Sequence, residues 1–173
     1  DSWKVGSDFL SSGEILYLND ADAESAGVNY FSTLGASTLT ITGTHESINR
    51  SGDNYIVYCF HSVEGYSKID SYIGNGNVDG TFFYLGFRPA FILVKALVTE
   101  SWYVLDNKRD GFNINNFALN PDYNYIEAVT TFGDLVSNGI KWRTTSGAFN
   151  GSAGTEFLYY AVAESPFKTA NAR

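Results

Sequence analysis

The sequence predicts an all-β fold, an antiparallel sandwich or jelly roll of the concanavalin-like kind, on three observations. Aromatic residues make up 16% of the 173 residues, and they cluster with β-branched residues in short runs. Those runs are separated by Gly, Asn, Ser and Thr, which supply positive φ or side-chain-to-backbone bonds in tight turns. No segment holds the 3.6-residue apolar period over three turns that a core helix requires.

Each element follows in chain order. Trp3 and Val5 alternate in the opening stretch, and Glu14 to Asn19 (EILYLN) reads as a short strand. Asp20 to Ala26 is small and acidic, which suits one helical turn capped by Asn19 or Asp20. Ser37 to Gly43 sets Leu39 and Ile41 against Thr38, Thr40 and Thr42, the period of a strand with one wet face. Tyr55 to His61 and Phe157 to Ala163 are apolar on both faces and read as central strands. Between them, Gly65 to Lys95 reads as strand, glycine-rich turn, and two more strands, Thr81 to Leu85 and Ala90 to Leu97, with Pro89 at a permitted strand start. Ser101 to Asp106 and Gly139 to Thr145 are amphipathic strand candidates, Asn107 to Asn124 is polar and turn-prone, and Ala128 to Ser137 reads as a brief helix.

The chain also carries an internal similarity at a spacing of about 100 residues. Tyr55 to Lys68 aligns with Phe157 to Lys168, setting Tyr58 on Tyr160, Glu64 on Glu164 and Lys68 on Lys168. The same spacing pairs Ser2-Trp3 with Ser101-Trp102, Leu18-Asn19 with Leu119-Asn120, and Leu39 and Ile41 with Ile140 and Trp142. The expected organisation is a partial first copy over residues 1–68 and a complete second copy over 69–173. On this reading the counterpart of Ile69 to Glu100 is absent from the first copy, and the intact polypeptide extends upstream. The copies form two sandwiches, or share one to which each supplies half.

Composition excludes several classes. Eleven basic against 19 acidic residues give a net charge of −8, with the basic residues scattered, so nucleic acid is not an expected partner. No apolar run reaches 18 residues, so no membrane insertion is expected. The single cysteine, Cys59, lies in the apolar run YIVYCF and is expected to be buried and inert.

Candidate chemistry is sparse. His45 and His61 lie in neither a triad pattern nor a metal spacing, so no catalytic residue, metal or cofactor is assigned. Asp70, Asp79, Asp106 and Asp110 could serve glycoside hydrolysis only if two of them faced each other across a cleft, and each fits a turn or solvent role. Asn75, Asn77 and Asp79 alternate like oxygen ligands of a calcium loop but lack its closing Glu, so a turn is expected. Arg88 and Lys95 are expected to neutralise nearby acids. Loop aromatics with neighbouring amides suit adaptable binding, which selects Tyr123, Asn124, Tyr125, Phe149 and Asn150 as candidate ligand contacts.

Five phrases in one order carry a resemblance. They are YIVYCFHSVEGYSK at Tyr55 to Lys68, SYIGNG at Ser71 to Gly76, GFRPAF at Gly86 to Phe91, DLVSNGIKWR at Asp134 to Arg143, and AESPFK with the terminal NAR. Together they make the chain from Asp53 onward resemble the C-terminal module of tail proteins of marine bacteriophages. The resemblance implies a virion-borne domain, assembled in the host cytoplasm, at the end of a tail fibre or similar appendage. It implies a homotrimer with other virion proteins as partners. The expected function is non-enzymatic binding to a host-surface polysaccharide or receptor. The alternatives are a capsid decoration or head-fibre protein with a structural role, and a glycan-degrading enzyme domain.

Overall fold

The computed structural model describes residues 2–26, 30–35, 37–42 and 45–167. Among these there is no helix, and every strand pairing is antiparallel. The strands are β1 (Lys4–Val5), β2 (Glu14–Tyr17), β3 (Ser25–Ala26), β4 (Phe31–Leu34), β5 (Leu39–Ile41), β6 (Ser67–Ile73) and β7 (Phe82–Tyr84). They continue as β8 (Pro89–Ala96), β9 (Trp102–Asp106), β10 (Asn115–Ala118), β11 (Ala128–Val136), β12 (Gly139–Trp142) and β13 (Glu156–Ala163).

Two four-stranded sheets, ordered β6-β13-β8-β9 and β10-β11-β12-β7, face one another in a sandwich-like arrangement. The periodicity of β13 explains its central place. Phe157, Tyr159 and Ala161 point into the shared core while Leu158 packs on the opposite face, so both faces bury apolar surface. The core is aromatic. Tyr72 stacks on Phe83 at 4.4 Å and on Phe157 at 4.9 Å, and its hydroxyl donates to the Phe149 carbonyl at 2.7 Å. Burial pushes the Tyr72 phenol well above its ordinary pKa.

A third layer covers the outside of the first sheet. The small sheet β1-β2-β3 brings Leu10 and Leu16 against Leu97, Trp102 and Leu158. The Trp102 indole N–H donates to the Tyr17 carbonyl at 2.7 Å. Backbone bonds from Glu24 to Leu97 (3.0 Å) and from Glu100 to Ala21 (2.8 Å) fasten its edge. Lys95 lies wholly buried beneath this layer, with its ammonium donating to the carbonyls of Ala96 and Val98 at 2.6 and 2.9 Å. Burial lowers its pKa to about 8, against the opposing pull of Asp122, Glu100, Asp22 and Asp20.

Four sequence expectations are corrected. Ala128 to Ser137 is not a helix but the long strand β11, because β10 and β12 bind it on both sides and override its weak helical pattern. Asp20 to Ala26 is extended rather than helical, since its carbonyl and amide groups bond to Glu100 and Leu97 and its end pairs with β2. The turn-prone stretch after Asn107 contains β10. Tyr55 to His61, expected as a central strand, pairs with no strand and is exposed throughout; Cys59 within it is exposed rather than buried. The places on either side of β13, where such a run would gain both faces, are taken by β6 and β8. Gly43 of the β5 region, and Lys168 with the terminal NAR, lie outside the described residues.

Candidate functional site

Residues 119–127 connect β10 to β11 as a loop held at both ends. At the near end, Asn120 donates from its side-chain amide to the Trp102 carbonyl at 3.1 Å, and the Trp102 N–H donates to the Asp122 carboxylate at 3.2 Å. At the far end Glu127 pairs with Arg109 at 2.9 Å, and Arg109 also holds Asp106 at 2.7 Å. Between these anchors Tyr123 and Tyr125 stack on each other, 4.9 Å apart and within 10° of parallel. They are 47% and 64% exposed, and Ile126 beside them is 92% exposed. The arrangement presents a flat ring face with the exposed amide of Asn124 at its side. Val129 and Leu119 add exposed apolar surface at the base of the loop; sequence reasoning passed over them because Leu119 lies in a stretch read as a polar turn and Val129 in one read as a brief helix.

The other two candidate contacts go inward. Phe149 and Asn150 have no exposed surface, which corrects their selection as ligand residues. The Phe149 ring packs between Trp142, Phe132 and Tyr103. The Asn150 side chain is the hub of the glycine-rich turn. Its oxygen accepts from the N–H groups of Asn75 (3.0 Å) and Thr81 (3.3 Å), while its amide donates to the Asn75 side chain and to the carbonyls of Asn77 and Thr144 (2.8, 2.8 and 2.9 Å). A buried amide with every group matched fixes a loop where an apolar side chain could not.

That hub also explains Asn75, Asn77 and Asp79. Asn75 Oδ1 accepts from the Asn77 N–H and Asn77 Oδ1 from the Asp79 N–H, so both oxygens are engaged in successive turns. Asp79 pairs with Lys141 at 2.7 Å, and the ammonium holds its carboxyl below the ordinary range. Among the described residues no group of three or more His, Cys, Asp or Glu side chains is placed to hold a metal ion.

The remaining carboxylates are dispersed. Asp70 pairs with Lys68 at 3.4 Å, Asp106 with Arg109, and Asp110 accepts the Asn116 N–H. His45 lies edge-on to the Tyr30 ring at 5.1 Å, and an exposed His61 bonds the Ser62 carbonyl. Arg88 meets the expected acid, Glu164, at 2.6 Å, whereas Lys95 bonds carbonyls. A cleft of about 290 Å³ opens between the β1–β2 segment and β4, lined by Leu10, Ile15, Phe31 and Leu34 with Gly6, Ser7 and Glu14.

These features define an all-β domain of paired antiparallel sheets with one aromatic loop displayed outward. The chain belongs to the DUF7483 family, a domain of unknown function, which matches residues 1–166. Comparison with curated proteins gives no match, and comparison with solved structures gives none.

Proposed function

We propose that this chain is a non-enzymatic binding domain of a phage tail fibre or related virion appendage, and that its β10–β11 loop contacts a host-surface glycan. The observation that carries the reading is the Tyr123–Tyr125 stack, two rings held parallel and exposed on a loop anchored at both ends. Rings fixed before binding lose little conformational freedom on contact, and their faces suit the C–H surface of a sugar while neighbouring amides meet its hydroxyls. The resemblance to marine phage tail modules supplies the setting: a homotrimer on the particle with other virion proteins beside it. In this reading the two facing sheets form a jelly-roll-type sandwich, and residues 1–68 and 69–173 are related copies.

The test is binding of the purified, fluorescently labelled chain to a panel of bacterial cells and to their extracted surface polysaccharides. Binding to some cells and their polysaccharide is expected, with Tyr123→Ala and Tyr125→Ala each weakening it by about tenfold, or ~1.4 kcal/mol, at unchanged thermal stability. Undiminished binding by both variants, or no binding across the panel, contradicts the proposal.

A further inference from the structure

Every residue of β13 from Phe157 to Val162 has a backbone partner on each side, in β6 and in β8. Tyr55 to His61, YIVYCFH, is as apolar but has neither among the described residues, and Ile56, Val57, Tyr58 and Phe60 stand exposed. Such a run leaves both strand edges unpaired; its contacts include the Tyr58 ring on Trp3, the Phe60 ring on Tyr160, the Tyr55 hydroxyl on the Glu46 carbonyl, and the His61 carbonyl accepting from the Ser67 hydroxyl.

The chain leading into the two runs is bonded alike. The hairpin register of β4–β5, Thr33↔Thr40 and Leu34↔Leu39, recurs 101 residues later in β11–β12 as Asp134↔Lys141 and Leu135↔Ile140. The turn after each hairpin repeats at the same spacing. Ile48 and Asn49 N–H donate to the His45 carbonyl at 3.0 and 2.9 Å, and Phe149 and Asn150 N–H donate to the Ser146 carbonyl at 3.1 and 2.9 Å. The side chains of His45 and Ser146 then accept from Ser47 N–H and Ala148 N–H. At a spacing one residue longer, 102, the chain passes in both places through a positive-φ glycine, Gly52 at 90° and Gly154 at 97°. Continuing that spacing sets Tyr55 on Phe157 and Cys59 on Ala161, which is wholly buried.

What lies around the second run therefore indicates what belongs around the first. We propose that Tyr55 to His61 is the central strand of an open module, and that it accepts a β6–β7–β8 unit of the sequence type of residues 66–97 from another module of this family. That unit would enter as two added strands, one on each edge. It would also close the cleft beside β4, where Phe31 and Leu34 match the buried Phe132 and Leu135. The inference rests on the two-copy reading and is independent of glycan binding.

Cys59, the single cysteine, reports the outcome. A second copy of residues 66–100 is fused ahead of Ser2, so that Glu100 joins Ser2 as it joins Ser101. In the parent chain Cys59 should react with a thiol reagent at the rate of an exposed thiol. In the fusion the rate should fall at least ~100-fold, with Tyr55 to His61 amides gaining exchange protection. Ile92→Asp with Val94→Asp in the added copy should restore the parent rate. If the fusion keeps the parent's protection across β6 to β13 yet Cys59 reacts as before, the proposal fails. If Leu34 and Thr40 amides are also unprotected in the parent, the two-copy reading fails with it. Should the fusion not fold, a peptide of residues 66–97 added to the parent chain must slow Cys59 labelling, and no slowing overturns the proposal.

Discussion

Trp3 and Trp102 each bond an asparagine side chain, through opposite backbone groups. Trp3 N–H donates to Asn19 at 2.8 Å, and Asn120 donates to the Trp102 carbonyl at 3.1 Å. Yet Trp3 is 53% exposed and Trp102 only 3%. A similar difference separates the two hairpins. Leu39 and Ile41 are half-buried on a two-stranded hairpin, whereas Ile140 and Trp142, 101 residues later on β12, are wholly buried between β11 and β7. Hairpins and turns are specified by residues close in sequence. Burial and a central strand require partners from elsewhere in the chain, and a lone hairpin is marginal without them.

Paired substitutions sharpen this contrast. The largest difference is expected between Trp142→Ala, which empties a fully enclosed site and should cost ~3–5 kcal/mol, and Ile41→Ala, which should cost about 1 kcal/mol or less. Denaturant unfolding of the two variants measures both. Next comes Asn150→Ala, which leaves the N–H groups of Asn75 and Thr81 without their acceptor and should cost ~2–4 kcal/mol. Ser47→Ala, in the matching turn but exposed, should cost less than about 1 kcal/mol. Equal losses in either pair would break the comparison.

A smaller effect reads the junction between the two regions through Lys95, buried where the N-terminal layer covers the first sheet. Its pKa of about 8 in the folded chain lies below the ordinary 10.5, so between those values the unfolded chain holds the extra proton. Stability should therefore rise as pH increases from 7.5 to 9.5, by on the order of 1 kcal/mol after allowance for the surrounding acids. Lys95→Met should flatten that rise. Thermal melts across this range check it, and a fall in stability with pH would contradict the burial of a charged ammonium.

Much of the fold was legible because β13 announces itself in residues apolar on both faces, and β8 and β12 in aromatic and β-branched runs bounded by turn residues. Tyr55 to His61 misled for the same reason: composition reports what a run could bury, not whether neighbours stand beside it. β11 was misread because Gly133 and small polar residues dilute its alternation, while its actual cause is pairing on both edges. The candidate loop was half legible. Tyr123 and Tyr125 follow Pro121 and Asp122 in an evident turn, but SGAFNGS gives no local sign that it folds inward. That depends on distant close approaches, such as Gly80, where an added Cβ would lie 2.7 Å from that of Trp142 and 2.8 Å from the Asn150 amide.

The central claim is that matched sequence adopts the β13 structure only when flanked on both edges, and residue-resolved hydrogen exchange on the unmodified chain tests it most directly. The account predicts that Leu158 to Val162 amides exchange only through near-global opening, that the Leu34 and Thr40 amides show small protection, and that Ile56 to Phe60 amides exchange almost freely. Protection of Ile56 to Phe60 comparable to that of Leu158 to Val162 would contradict it.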